Sequence, residues 1–291
     1  MELVFIGAGR LATNLALALN DKGHHITAVY SRTIDSARAL ADRLKAEGQV
    51  TVPDGSAFGM RFPIVGDLQS LTHDFPLPTG EGLEGGTAII IAVKDDALPT
   101  LACQLAERLP NEGNYPVFHT AGSVPMSVLS PLPHHGVIYP LQTFSIDRRA
   151  DFTRIPFFIE ASDQHTLSVA HTIAASLSNS VNTIDSQQRR QLHLAAVFAS
   201  NFANHCYTLA ADILERSGLH FSSIQPLIEE TAAKVATIHP RLAQTGPAVR
   251  YDKTVIDRQR QMLADQPMTQ QIYELMSESI HLHTQLPNCE L

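Results

Sequence analysis

The chain has 291 residues, of which 44% are hydrophobic and 17% charged, and its formal net charge at pH 7 is −8. This composition is typical of a globular protein, and the acidic balance, without a basic stripe, argues against a nucleic-acid partner. No apolar run approaches the ~20 residues that cross a membrane, and a functional motif begins close to Met1, so we expect a cytoplasmic protein without a membrane span or leader.

The first predicted elements are a strand, a glycine turn and a helix. An apolar run leads into the sequence Gly7-Ala8-Gly9-Arg10-Leu11-Ala12, and leucines at helical spacing follow. In this G-x-G-x-x-A pattern Gly7 permits the tight turn, Gly9 lets the backbone approach a pyrophosphate, and Ala12 lets helix and strand pack closely. The free N–H groups at the start of the helix then bind the pyrophosphate. The pattern predicts a dinucleotide site formed by Gly7, Ala8, Gly9, Arg10 and Leu11.

The end of the second predicted strand, residues 25–30, indicates which dinucleotide binds. NAD sites place a carboxylate there for the ribose 2′-hydroxyl, whereas this chain has Ser31-Arg32-Thr33. A guanidinium between two hydroxyls suits a 2′-phosphate, because the planar Arg side chain pairs with two phosphate oxygens at once. Alternatively, Ser31 and Thr33 cap the next helix and Arg32 is a solvated charge, and both interpretations can hold. We predict NADP as the cofactor, with Ser31, Arg32 and Thr33 as ligands of its phosphate.

Strands and helices alternate as far as Ile184. Apolar runs and turn residues predict further strands at 62–65, 87–93, 116–119, 137–139, 157–160 and 181–184, and helices at 34–45, 97–109 and 163–177. This alternation indicates an α/β fold with a doubly wound parallel sheet, as in Rossmann domains.

From Ser186 onward the pattern is helical. Helices are predicted at 186–217, 222–238, 252–263 and 269–283, with glycine and proline between them. We therefore predict an NADP-binding, Rossmann-like domain of residues 1–185 and an all-helical domain of residues 186–291.

Five motifs together carry a resemblance to a known superfamily. They are Gly7–Ala12, Ala92-Val93-Lys94, His119–Pro125, Tyr139–Ser145 and Gly246–Asp252. The chain resembles the 6-phosphogluconate-dehydrogenase-like superfamily and, within it, pyrroline-5-carboxylate reductases and coenzyme-F420-type NADP oxidoreductases. The last two motifs are similar to those of Rossmann-like proteins with a DUF2520 C-terminal domain, over essentially the whole chain. The resemblance implies an NADP cofactor and a homodimer formed through the helical domain.

The ligand of an open α/β sheet lies across the carboxyl ends of the strands. We therefore expect Ala92, Val93, Lys94 and Gly122, which follow two central strands, to line the cofactor. Hydride transfer to a C=O or C=N group also needs a proton donor. His119 is the first candidate, because histidine titrates near neutrality, although it also suits a cap on the following turn. Lys94 is the second candidate, as an acid, as an anion clamp, or only as a cofactor-positioning residue.

Further candidates lie outside the central strands. Asn201 and Asn204 share a face with His193 on the predicted long helix, and this polar stripe either lines a cleft or forms hydrogen bonds inside a dimer. Arg250 either binds a substrate carboxylate or pairs with Asp252 or Asp257. Catalysis is assigned to His119, Lys94, His193 and Asn201. Substrate binding is assigned to Ser123, Gln142, Thr143, Asn204 and Arg250, although Ser123 suits an N-cap better than a reacting hydroxyl.

A metal site is not expected. Cys103, Cys206 and Cys289 are far apart, and the 14 histidines include no HExxH motif, so the cysteines are predicted to be reduced thiols. The sequence thus predicts an NADP-dependent oxidoreductase that acts on the imine or carbonyl group of a small, anionic substrate. The alternative is an NADP-binding sensor without turnover.

Overall fold

The computed structural model describes residues 1–47, 64–67, 86–109 and 115–285. The chain divides into two compact units, Met1–Ser200 and Asn201–Leu291. Cys289 and the first two residues of the strand predicted at 62–65 lie outside the described residues.

The first unit is built on a single sheet. The strands of its described part are β1 (Glu2–Ile6), β2 (His25–Ser31), β3 (Ile64–Asp67), β4 (Thr87–Ile91), β5 (Val117–His119), β6 (His135–Pro140), β7 (Phe157–Ala161) and β8 (Val181–Thr183). Its helices are α1 (Arg10–Asp21), α2 (Ile34–Glu47), α3 (Leu98–Arg108), α4 (Gln164–Leu177) and α5 (Ser186–Ala196). The strand order is β3-β2-β1-β4-β5-β6-β7-β8. The predicted Rossmann-like architecture is confirmed.

One pair of neighbours departs from the predicted parallel arrangement. β6 and β7 run antiparallel, with Val137 opposite Glu160, whereas the other neighbouring strands run parallel. The connection between them is held by Asn14 of α1, whose amide donates to the Ser145 carbonyl (2.8 Å) and accepts from the Ala150 N–H (3.0 Å). These bonds keep the connection at the edge where β6 ends, so β7 enters the sheet from that same edge.

The core of the first unit lies on both faces of the sheet. Alternate residues of β1 belong to different apolar clusters, with Leu3 and Phe5 in one and Val4 and Ile6 in the other. Successive side chains of a strand point to opposite faces, so both faces of this sheet are buried, as expected for a doubly wound fold.

The second unit is helical, as predicted. Its described helices are α6 (Ala203–Arg216), α7 (Gln225–Val235), α8 (Pro240–Ala243), α9 (Pro247–Arg250), α10 (Lys253–Gln261) and α11 (Pro267–Gln285). The continuous helix predicted at 186–217 is instead interrupted by a π-helical segment, Val197–Phe202. The division between the two compact units also lies within that segment, so α5 is part of the first unit.

Candidate active site

The site lies at the carboxyl edge of the parallel strands. The register places Ile6 beside Ile91, Ile91 beside His119 and His119 beside Val137. The segments that leave β1, β4 and β5 therefore start from one row of residues. As a result, the glycine turn, the loop from Ala92 and the loop from Thr120 share one edge.

Gly7 makes the first of these turns possible. Its φ of +114° is a left-handed conformation, and a Cβ at this position would lie 2.1 Å from the Ala92 carbonyl oxygen. Around a Cβ at Gly9, by contrast, nothing lies within 4 Å. α1 starts directly after Gly9, and no side chain caps its first N–H groups. This cradle fits a pyrophosphate.

The segment Ser31-Arg32-Thr33 was predicted either to bind the 2′-phosphate or to cap the next helix. Ser31 is buried. The hydroxyls of Thr33 and Ser36 form a hydrogen bond (2.8 Å), which is a local contact at the start of α2. Arg32 is exposed, and the nearest acid in sequence, Asp35, pairs with Arg38 at 3.8 Å. The guanidinium of Arg32 is therefore accessible to a phosphate.

A hydrogen bond connects the loop that follows β4 with the loop that follows β5. Ala92 and Val93 are half-buried, whereas Lys94 is exposed and starts the 3-10 turn Asp95–Ala97. The Ser123 hydroxyl donates to the Asp95 carboxylate. Ser123 thus joins the loops that follow β4 and β5.

His119 is fully buried at the end of β5. Its Nδ1 accepts a hydrogen bond from the Ala121 N–H (3.1 Å), and the Pro125 backbone lies beside the ring. Burial, together with the Arg189 guanidinium, lowers the pKa of His119 to about 3. The imidazole is therefore neutral near pH 7, and its geometry matches the turn-capping alternative.

A buried ion pair, absent from the sequence-based candidates, fixes α5 on the sheet. Arg189 is 0% exposed; it pairs with Glu160 of β7 and donates to the Val124 carbonyl (2.6 Å). The Ser186 hydroxyl also donates to Glu160 (2.8 Å) and accepts from the Met126 N–H (2.8 Å). α5 is thereby attached both to β7 and to the loop after β5. In the sequence, Arg189 is a single charged residue near the start of a predicted helix. Nothing in the local pattern indicates that it is buried.

One helical turn after Arg189, His193 meets Tyr139 of β6. Tyr139 Oη and His193 Nδ1 are 2.9 Å apart, and the rings are T-shaped with centroids at 6.0 Å. A Cβ on Gly122 would lie 2.5 Å from His193 Nδ1 and 2.8 Å from Tyr139 Cζ, so the pair rests directly on the Gly122 backbone. Sequence reasoning selected His193 and Gly122 but missed Tyr139, the penultimate residue of a short strand.

The described contacts do not connect the other predicted residues to Gly122, Tyr139 and His193. Gln142 and Thr143 are exposed and bonded to each other through the Gln142 amide oxygen (2.9 Å). Asn201 and Asn204 are exposed and belong to the second unit, beyond the start of the π-helical segment. The shared face predicted for this stripe assumed a continuous α-helix, which the π-helical segment interrupts.

Arg250 is the last residue of the short helix α9 in the second unit. It is exposed, and among the described residues it forms no ion pair with Asp252, which instead caps α10 by accepting from the Val255 N–H (3.3 Å). Tyr251 has a left-handed φ of 51° and stacks on His281 with ring centroids 4.1 Å apart. Such a conformation is strained for an aromatic residue and is found mostly where the surrounding structure enforces it.

Two kinds of feature are absent from the described residues. They contain no cluster of three or more His, Cys, Asp or Glu side chains arranged to hold a metal ion. Among the same residues, no helix is long and apolar enough to cross a membrane.

Two protein families match the chain. The family described as NADP oxidoreductase coenzyme F420-dependent matches residues 2–61, and the domain of unknown function DUF2520 matches residues 155–280. These matches confirm the resemblance predicted from the sequence motifs. No curated protein matches the chain.

Several solved structures are similar to this chain. A putative NADP oxidoreductase from Bacteroides fragilis is 44% identical over 97% of this chain and 98% of that chain, with a TM-score of 0.80. An imine reductase from Streptomyces aurantiacus is 16% identical over 97% and 94% of the two chains, with a TM-score of 0.59. A pyrroline-5-carboxylate reductase from Coxiella burnetii is 15% identical over 97% and 96%, with a TM-score of 0.54. The last two are similar in fold alone.

Proposed function

Because the chain belongs to the family of NADP oxidoreductases that join a Rossmann-like unit to a DUF2520 domain, we propose that it transfers a hydride between NADP and a small, anionic imine or carbonyl compound. The observation that carries the proposal is the shared edge of the sheet. The glycine turn follows β1 at this edge. The Tyr139–His193 pair packs on Gly122 in the loop that follows β5 at the same edge. A dinucleotide site and a proton-carrying group are the two parts that such a reaction needs.

The cofactor is NADP. The N–H groups after Gly9 would hold its pyrophosphate, Arg32 would pair with its 2′-phosphate, and Val93 and Gly122 would line the nicotinamide side. When bound, the reduced cofactor supplies the hydride. The close contact between Gly7 and Ala92 keeps the two strand exits in fixed positions, so the reacting carbon meets a pre-organised surface.

His193 is the proton donor in this proposal. Its imidazole is partly exposed, unlike that of His119, and its Nε2 has no hydrogen-bond partner among the described residues. A protonated ring gives the Nε2 proton to the nitrogen or oxygen of the substrate, and solvent replaces that proton. His119 then shapes the turn before Gly122 rather than exchanging protons itself.

The exposed cations are assigned to the substrate. Lys94 leaves the central strand at the carboxyl edge of the sheet, where it attracts an anionic group. In the second unit, Arg250 is proposed to bind a carboxylate in a bidentate manner. Asn201 and Asn204 remain proposed polar contacts for the substrate. The exposed free thiols Cys103 and Cys206 support a reducing, cytoplasmic location.

A homodimer through the helical unit is part of the proposal. Among its large apolar side chains, Leu227 is 66% exposed, Met262 72% and Leu275 66%. Large exposed apolar side chains are typical of an interaction surface, and the proposed occupant is the helical unit of a second copy.

The test combines binding with turnover. We expect NADPH to bind with micromolar affinity and NADH far more weakly in a calorimetric titration. We also expect NADPH to be oxidised in the presence of cyclic imino acids or 2-keto acids. His193→Gln should bind NADPH normally but turn over about 100-fold more slowly, as expected when a general acid is lost. His171→Gln, a change at an exposed histidine on α4, is the matched control.

The outcomes separate the proposed function from its alternative. Absence of NADPH binding would overturn the cofactor assignment. Tight binding without oxidation by any imino or keto acid would favour the NADP-binding sensor, which needs no proton donor. Equal rates for the two histidine variants would remove His193 from the mechanism.

A further inference from the structure

The hydrogen bond between Tyr139 and His193 joins two side chains that differ in their access to solvent. Tyr139 is only 7% exposed, whereas His193 is partly exposed. Burial raises the pKa of the Tyr139 phenol, an effect that the Arg189 guanidinium opposes in part. The phenol is therefore neutral, and its oxygen can either donate to a neutral Nδ1 or accept from an Nδ1–H.

The surroundings of the imidazole leave one ring nitrogen for other partners. Nδ1 is enclosed by the Tyr139 hydroxyl at 2.9 Å and by the Gly122 backbone, where even a methyl group would come within 2.5 Å. Nε2, on the opposite side of the ring, makes no hydrogen bond within the described part of the chain. The ring therefore presents Nε2 outward in either protonation state.

Arg189 is a charged side chain close to this pair, and its charge acts on the Tyr139 phenol. Arg189, one helical turn before His193, is paired with Glu160 of β7, and His119 of β5 is neutral. Among the described residues, Tyr139 forms the hydrogen bond to the ring. The ion pair also fixes the backbone of α5, so the imidazole cannot easily turn away.

We propose that Tyr139 is a positioning residue for proton transfer, holding Nδ1 of His193 so that Nε2 alone exchanges protons with the substrate. This inference rests on the proposed role of His193 as proton donor. In the protonated ring, Nδ1–H donates to Tyr139 Oη and Nε2–H faces the substrate. As the hydride reaches the substrate carbon, the Nε2 proton moves to the substrate nitrogen or oxygen. The ring is left neutral, with its remaining proton still held by Tyr139, and a solvent proton restores Nε2–H.

The Tyr139→Phe variant tests this role. Phenylalanine keeps the aromatic ring against Gly122 but removes the oxygen. A hydrogen bond to a charged partner is stronger than one between neutral groups, so the protonated imidazole loses more than the neutral one. We expect the titration midpoint of the His193 ring, followed by NMR of the full-length protein, to fall by about half a unit to one unit of pH. Tyr273→Phe, which removes a phenol bonded to Gln259 at 2.8 Å in the second unit, is the control.

Turnover provides a second, separate measurement. In Tyr139→Phe the alkaline fall in the NADPH oxidation rate should move to lower pH by the same amount, with the NADPH dissociation constant unchanged. An unmoved NMR midpoint would overturn the positioning role, whether or not the protein turns over. A shifted midpoint in a protein that oxidises no NADPH would instead overturn the proposed function, and with it the substrate-facing role of Nε2.

Discussion

The sheet unit and the helical unit differ in how they bury apolar surface. In residues 1–200 two apolar clusters cover both faces of the sheet and include aromatic and branched side chains that are completely buried. Among the described residues 201–285, by contrast, the buried side chains are Ala248, Leu263 and Ser277. Apolar burial contributes about 25 cal/mol per Å², so the first unit has its own source of stability and the second has little. Site geometry and assembly can therefore be disturbed separately.

The largest expected effect comes from breaking the glycine turn of the sheet unit. In Gly7→Ala the new methyl would overlap the Ala92 carbonyl, and φ would be strained as well. We expect a loss of ~3 kcal/mol or more in the free energy of unfolding and no measurable NADPH binding. Urea unfolding and calorimetry measure these effects, and hydrogen exchange should show the loss of protection in residues 1–200.

Gly9→Ala is the matched control for that change. A methyl there meets no neighbouring atom within 4 Å, so stability should change by less than ~1 kcal/mol while NADPH binding still weakens. Equal destabilisation by both variants would contradict the assigned difference between the two glycines.

The next effect should fall on the helical unit alone. Leu275 and Met276 of α11 are 66% and 51% exposed, and the double variant Leu275→Glu/Met276→Glu places two charges on the proposed dimer surface. We expect the mass in solution to halve and the dimer dissociation constant to rise at least ~100-fold, with NADPH binding retained. Ile146→Glu, at a residue 46% exposed in the sheet unit, should leave the mass unchanged. A dimer that survives the double variant would place the interface elsewhere.

Acid should weaken the sheet unit through His119. Its folded pKa of about 3 lies below the ordinary value of 6.5, so between these values the unfolded chain binds the proton more tightly. This contribution to stability is complete above pH 6.5 and is lost as the pH falls towards 3, by roughly 2–3 kcal/mol at pH 4.5. His119→Asn, which retains an acceptor for the Ala121 N–H, should show a flatter pH dependence in urea unfolding. An unchanged slope would show that the acid response arises elsewhere.

The smallest expected effect is a change in cofactor preference without a change in fold. Arg32→Glu should weaken NADPH binding about 10- to 100-fold and NADH binding less than ~3-fold, because a carboxylate repels only the 2′-phosphate. Arg38→Glu, at an exposed arginine on the neighbouring helix α2, is the control. Equal losses for the two cofactors would contradict the role given to Arg32.

The elements that were predictable are those encoded by local patterns. The buried strand before Gly7, the turn itself and the helix after it follow from apolar runs and two glycines, and the helix capped by Asp163 follows from a similar local signal. The helices Pro240–Ala243 and Pro247–Arg250 are too short to give such a signal.

The features that were missed depend on contacts distant in sequence. The antiparallel entry of β7 depends on Asn14, more than 130 residues from its partners Ser145 and Ala150. Tyr139 and His193 are brought together by the position of α5, which Arg189 and Glu160 determine. No periodicity or spacing within one segment reports such pairings. For the same reason the complete burial of His119 was not foreseen.

The ion pair between Glu160 and Arg189 has a consequence for synthesis of the chain. Arg189 leaves the ribosome 29 residues after Glu160, a delay of about 1.5 to 6 seconds at ordinary elongation rates. Until then β7 carries a carboxylate without its counter-charge, and burying it is costly. The far edge of the sheet therefore closes late in translation. A nascent chain arrested with residue 185 outside the ribosome should leave β7 open to proteolysis, whereas one exposing residue 200 should protect it.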